Sequence, residues 1–283
     1  MRSSAQSATH IPTAPGHSAG NLPEQRSPAA HFAAMNSLSM YWQFYWSVAG
    51  AQLSRWLPST PGRILDLSGP AHRGAPRAAA AGHDVVRLFG EGGPNRERPE
   101  LHLVDSHTGP EVAQGRVASV RCDGTFLPGL ADSAFDGVVA DNRGLSEHLV
   151  TEALLTEIAR VLRPGGRALV CVDSVVLGMA LLAEQDCWPE LSHAPSADVL
   201  LVPWPDGTIT RCFTVEQLTE LLDGAGLELE WSRPRTVLSA SAVETILDQD
   251  RTALPRLVEM ELQAAETGDH VGVHLLASAV KPR

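Results

Sequence analysis

The chain has 283 residues, a formal net charge of −11 and 5% aromatic residues. That balance excludes a protein built mainly to grip phosphate backbones, which needs clustered Lys and Arg, so nucleic acid is not an expected partner. About 250 residues remain once a low-complexity start is set aside, a size that one elaborated α/β domain reaches.

Met1 to Ala30 is rich in Ser, Pro, Ala and Gly and has neither a continuous apolar run nor hydrophobic periodicity. It reads as a flexible tail rather than a signal peptide, followed by a single domain over 31–283. No later stretch has the roughly eighteen apolar residues that cross a bilayer, so a cytoplasmic protein without a membrane partner is expected. Cys122, Cys171, Cys187 and Cys212 show no metal-ligand spacing. Buried free thiols in a reducing compartment are expected, and no metal site.

His31 to Leu57 gathers Tyr41, Trp42, Phe44, Tyr45 and Trp46 into six residues, which serve either as core packing against a sheet or as a lid. Arg63 to Ser68 predicts a first strand, Gly74 to Ala81 a helix ending at Gly82, and Val85 to Phe89 a second strand. Glu91 to Gly115 is loop-like, punctuated by Gly92-Gly93-Pro94, Pro99 and Gly109-Pro110. Val117 to Cys122 is a short strand, followed by Asp123-Gly124 at the edge where ligands sit in open α/β sheets.

Phe135 to Ala140 is a further apolar strand. Leu154, Leu155, Ile158, Val161 and Leu162 then recur at helical spacing, and the helix stops at Pro164-Gly165-Gly166. Ala168 to Val172 is apolar at every position, as expected of a strand buried on both faces. Strand, helix and strand in this rhythm mean parallel βαβ units.

Val175 to Glu184 predicts a helix, and Asp198 to Val202 pairs with Thr208 to Phe213 through Pro205-Asp206-Gly207 as a hairpin. Trp188 and Trp204 flank this segment, either walling an apolar acceptor pocket or pinning the segment to the body. Thr214 with Gln217 forms a capping box before the stripe Leu218, Leu221, Leu222 and Ala225. Leu227 to Trp231 is a strand, Ser241 with Glu244 opens another helix, and Val271 to Val280 is a final strand.

The run from Arg121 to Asp173, above all Arg160-Val161-Leu162-Arg163-Pro164-Gly165-Gly166, resembles the second half of a class I S-adenosylmethionine (SAM) methyltransferase core, and the AGHDVV stretch at 81–86 is similar to its second-strand region. The resemblance covers roughly Arg63 to Lys281. It implies an α/β, Rossmann-like fold with a mostly parallel seven-stranded sheet, helices on both faces and an antiparallel last strand. It further implies lid helices over 31–60, a substrate-covering insertion over 175–213, SAM as cofactor, and a small-molecule acceptor, as in specialised metabolism.

On the family pattern, Asp66 is the acid near the end of the first strand, and the loop glycines fall on Ser68, Pro70 and His72. None is glycine, although Gly69 and Gly74 lie close by. Glycine matters there because the backbone turns tightly and lets a cofactor approach amides at a helix N-terminus, whereas Pro70 removes a donor and His72 adds bulk. Ser68 and Gly69 are the expected loop contacts.

The ribose acid of the family is replaced by Phe89. Glu91, two residues on, is either its substitute or a solvated loop carboxylate, and Asp105 is a weaker substitute. Asp123 and Gly124, in the form D-G-x-x-L-P, imply an adenine contact, the alternative being an Asp turn bonding its own backbone. Asp141 and Asn142 follow the fourth strand, where the resemblance places methyl donor and acceptor, and the N/D-P-P-Y/F tetrapeptide of base-modifying enzymes is absent. His148 is either the base that takes the acceptor's proton or a histidine satisfied by backbone or water at the next helix. The altered loop leaves two alternatives to methyl transfer, a catalytically silent binding or partner subunit and a non-methylating reaction in the same pocket. A nicotinamide-binding Rossmann protein is disfavoured because the G-x-G-x-x-G turn is missing.

Overall fold

Ala168, Leu169, Val170, Cys171 and Val172 have no exposed surface, and they belong to the central strand of a sheet covered on both faces. A computed structural model describes residues 39–69, 74–89, 115–121, 127, 129–141, 143–204, 207–267 and 272–283. The expected tail and the loop from Glu91 lie outside them. The elements are α1 (Ser39–Trp56), β1 (Arg63–Asp66), α2 (Gly74–Ala80), β2 (Asp84–Phe89), β3 (Val117–Arg121), β4 (Phe135–Ala140), α3 (Gly144–Glu147), α4 (Thr151–Val161) and β5 (Leu162–Ser174). There follow α5 (Val175–Glu184), α6 (Trp188–His193), β6 (Leu200–Pro203), β7 (Ile209–Phe213), α7 (Val215–Gly224), β8 (Glu228–Pro234), α8 (Ala240–Gln249), α9 (Leu254–Thr267) and β9 (His274–Val280).

Strands β3, β2, β1, β4 and β5 pair in that order and all in parallel. β9 runs antiparallel to both β5 and β8, completing the seven-stranded, Rossmann-like class I methyltransferase sheet that the sequence implies. The β6–β7 hairpin adds two strands. Where β9 begins, opposite Asp173, β7 takes over and pairs in parallel through Asp173↔Cys212 and Ser174↔Phe213. The hairpin thus extends the sheet at the carboxyl end of β5 and has its own small core of Leu181, Leu182, Leu200, Val202 and Cys212. Gly178 lets α5 lie against β7, since a Cβ there would come within 2.9 Å of the Cys212 sulfur.

One face of the sheet is packed by α4 and α7 through Leu154, Leu155, Ile158, Leu218 and Leu222. The other is packed by α1 and α2 through Leu53, Trp56, Ala75 and Ala78. The aromatic cluster on α1 divides. Phe44 is buried with Val48 against Val243, Leu247 and Leu257 of α8 and α9, while Tyr45 turns toward polar groups at the strand ends. Burial pushes the Cys171 and Cys212 thiols up to about 12, so both are inert at neutral pH.

Two expected boundaries move. Residues 163–166 form a bulge inside β5, where pairing with β4 jumps from Phe135↔Leu162 to Gly137↔Arg167 and Gly165 takes φ +79°. The helix after β8 starts at Ala240, with Ser239 rather than Ser241 as its cap, and Glu244 instead accepts from the Tyr41 N–H at the start of α1 at 2.8 Å. Gly82 and His83 serve the fold. Gly82 turns at φ +93°, and the fully buried His83 accepts the Gly62 N–H on Nδ1 at 3.1 Å.

The capping box at α7 is complete, with the Thr214 hydroxyl accepting from Gln217 N–H and the Gln217 side chain accepting from Thr214 N–H. Thr214→Ala should therefore cost about 1 kcal/mol in urea unfolding, whereas an unchanged midpoint would show that packing alone fixes this helix start.

Candidate active site at the carboxyl edge

β1 ends at Asp66, which is buried between its parallel neighbours β2 and β4. One carboxylate oxygen accepts the Ser68 N–H at 2.9 Å, and the other has no hydrogen-bond partner among the described residues. A buried carboxylate oxygen left this way is costly, so the position favours a further donor beyond the described residues. Gly69 follows with φ +81°, and a Cβ there would meet none of the described atoms within 4 Å. The left-handed turn thus falls on Gly69, one residue after the position where the family pattern sets its first loop glycine. Arg87 of β2 fastens the turn by donating to the Gly69 carbonyl at 2.7 Å.

Ser68 is buried and its hydroxyl is engaged, accepting the Asp141 N–H at 3.0 Å and lying 3.4 Å from the Val139 carbonyl. The structure therefore brings Asp66, Ser68, Gly69 and Asp141 together at the ends of β1 and β4. His148 terminates α3, and burial lowers its pKa, leaving the ring neutral at pH 7. Among the described residues no hydrogen bond joins that ring to the cluster. Glu91, Asp123, Gly124 and Asn142 lie outside the described residues. Beyond Asp123, Glu157 and Arg160 of α4 hold the following loop through the Leu127 N–H and the Leu127 and Leu130 carbonyls.

The sequence reading missed the partner of Asp141. Arg235, just past β8, has no exposed surface and grips both Asp141 oxygens, one of them through Nη2 at 3.0 Å. Its Nε donates to Gln52 of α1 at 2.9 Å, and its guanidinium faces the Tyr45 ring at 5.7 Å. Burial pulls the Arg235 pKa down, but the Asp141 carboxylate more than offsets it and holds it well above the ordinary arginine value. The loop after Arg235 is fastened by buried Glu261, which accepts from Val237 and Leu238 N–H at 2.7 and 3.1 Å.

A second pair lies beside the first. Arg143 holds Asp173 at the end of β5 with two hydrogen bonds, 2.7 and 2.9 Å, and stacks 4.1 Å from the Trp204 ring. It does so from φ +67°, a left-handed backbone that costs a non-glycine residue roughly 1–2 kcal/mol. His274, the first residue of β9, lies with Nε2 3.5 Å from Asp173 and Nδ1 3.4 Å from the Tyr45 hydroxyl. Of the two tryptophans flanking the insertion, Trp204 reaches this edge and Trp188 is exposed. Asp173 closes an apolar strand run and carries a visible signal, but nothing near Arg235 in the sequence announces a partner 94 residues away.

Removing one side of the Arg235–Asp141 pair strands a buried charge, so Arg235→Met should cost about 3–5 kcal/mol in urea unfolding, with Asp141→Leu added to it recovering part of the loss. A loss below about 1 kcal/mol for the single change would show that water reaches the pair. Burial holds His274 at about 4, below its ordinary 6.5. The unfolded chain therefore takes up a proton over pH 6.5 to 4 that the folded chain refuses, and stability falls across that window as pH drops, by on the order of 3 kcal/mol. His274→Gln should flatten this part of the melting-temperature profile, and an identical profile would place the acid sensitivity elsewhere.

Comparison with known proteins agrees with this architecture. A family model described as a methyltransferase domain matches residues 99–170. Demethylmenaquinone methyltransferase of Mycolicibacterium paratuberculosis is 49% identical over 59 residues, 21% of this chain and 25% of the relative. The protein of the same name in Clavibacter sepedonicus is 36% identical over 110 residues, 38% and 40% of the two chains, so the chain matches less than half the length of either relative. Among solved structures, the 1,6-didemethyltoxoflavin-N1-methyltransferase of Burkholderia thailandensis, with its substrate and S-adenosylhomocysteine bound, shares 21% identity over 91% of both chains at a TM-score of 0.52. A SAM-dependent methyltransferase from Methanosarcina mazei shares 17% identity over 81% of this chain and 96% of its own, at 0.53. By strand order, sheet direction and these likenesses, the chain has the class I methyltransferase fold, with residues 99–170 matching a methyltransferase domain.

Proposed function

We propose that this protein transfers a methyl group from SAM to a small-molecule acceptor. The observation that carries the reading is the buried, half-satisfied Asp66 carboxylate beside the open, left-handed turn at Gly69. An ammonium group such as that of SAM's methionine portion would supply a charged donor that no described residue gives this oxygen, and the absent Cβ at Gly69 leaves room for it. Asp66 and Gly69 would hold the methionine end, with Ser68 and Arg87 shaping the turn. Glu91 remains the candidate for the ribose, and Asp123 with Gly124 for the adenine.

When bound, SAM supplies a sulfonium methyl open to in-line attack. The chain's own residues then position, screen and exclude. Asp141 stands at the end of β4, where a free carboxylate would attract cationic acceptors, but Arg235 neutralises it. Arg143 does the same for Asp173. Asp66 apart, these two charge pairs cancel, and the buried Tyr45 and the Trp204 ring lie against their guanidiniums. An uncharged, flat acceptor suits these surroundings, and α1 covers the Arg235–Asp141 pair through Gln52 and Tyr45. His148, neutral at pH 7, is able to accept a proton released by the acceptor.

Calorimetric titration of the whole chain with SAM and with S-adenosylhomocysteine should show saturable binding of both. Asp66→Asn, which keeps the shape and removes the charge, should weaken each about ten- to hundredfold. Absence of binding by the wild type at millimolar ligand would leave the silent-subunit reading in place, and full affinity in the variant would move the cofactor away from Asp66.

A further inference from the structure

A cavity of about 270 Å³ lies on the sheet face beneath α1 and α9, and none of the residues proposed to hold the cofactor lines it. Its floor is Leu262 and Leu276, its walls are Trp56 and Trp231, and Arg55, Arg167 and Arg233 converge on it with one lining carboxylate, Glu266. The Arg167 guanidinium sits 5.3 Å from the Trp56 ring and that of Arg233 sits 4.6 Å from the Trp231 ring, so two of the three cations lie over indole rings.

The three arginines are not equally committed. Arg55 donates to Glu259 at 3.3 Å and Glu266 at 3.2 Å. Arg167 donates to the Trp56 carbonyl at 2.9 Å and lies 3.4 Å from Glu230. Arg233 has only a 3.5 Å approach to Glu266, which Arg55 already engages, and its guanidinium makes no hydrogen bond to any described residue. The Arg233 guanidinium thus keeps N–H donors beyond the one facing Glu266, beside the Trp231 ring at a cavity of mixed polar and apolar lining. A guanidinium fork matches a carboxylate with two parallel hydrogen bonds. The volume falls just under the roughly 300 Å³ at which sites for drug-sized ligands begin, which limits the occupant to one or two fused rings.

We propose that this cavity is a binding site for a small planar aromatic carboxylate, its charge on Arg233 and its rings between the indole walls and the leucine floor. The probe is 2-naphthoate, titrated calorimetrically into the full-length protein. One saturable site is expected. Its affinity should fall at least about tenfold in Arg233→Met and partly recover in Arg233→Lys, and methyl 2-naphthoate, with the same rings and no charge, should bind at least about tenfold more weakly to the wild type. The comparison of acid and ester needs no variant, so it decides the matter even where Arg233→Met folds poorly. No saturable binding up to the solubility limit, equal affinity for the ester, or a folded Arg233→Met that binds as tightly as wild type would each overturn the proposal.

Discussion

A guanidinium without exposed surface persists only where the charges around it are arranged in advance, and Arg235 meets that condition through Asp141, Gln52 and the Tyr45 ring. These partners come from the end of β4 and from the two halves of α1, far in the chain from Arg235 at the end of β8. Desolvating both charges costs several kcal/mol per ion before their attraction is counted, so the pair adds little net stability over an apolar filling. Its contribution is positional. It fixes the strand end that carries Asp141 and seats α1 across the carboxyl edge, and the backbone bond from Arg235 N–H to the His274 carbonyl ties β8 to β9 at the same level.

The Arg143–Asp173 pair applies the same logic one strand over. The left-handed backbone at Arg143 is strain that the surrounding contacts must hold, and two short hydrogen bonds, the Trp204 stack and the Ser146 hydroxyl accepting the Asp173 N–H supply them. His274 and Tyr45 fill the space between the two pairs in neutral form. The edge is consequently charged in detail and close to neutral in sum, an environment set before any ligand arrives. Asp66 is the exception, with one oxygen that no described residue bonds.

Much of the fold was legible in the sequence because its signals are local. The run Ala168 to Val172 identifies a doubly covered strand by composition alone, and Thr214 with Gln217 gives a helix start that the structure reproduces atom by atom. Where two signals competed, tertiary contact decided. Ser241 and Glu244 have capping spacing, but Glu244 is drawn to the N-terminus of α1 and the helix begins two residues earlier. The altered loop looked like lost function because glycine was missing from the expected position, whereas the backbone turns one residue later, on Gly69. Arg235 could not be read at all, since a lone Arg after a strand has no periodicity or spacing that names a partner across the sheet. Arg233, two residues before it, is equally silent in sequence and acquires meaning only from the indole it stacks on.

In the proposed reading Asp66 and Gly69 receive SAM while Asp141 stays committed to Arg235. The most direct measurement is a crystal structure of the full chain with S-adenosylhomocysteine. The ligand's ammonium is expected within hydrogen-bonding distance of the Asp66 oxygen that no described residue bonds, with its backbone passing over Gly69 and the Arg235–Asp141 pair intact. A ligand bound elsewhere, or one whose binding pulls Asp141 away from Arg235 to serve as its anchor, would contradict it.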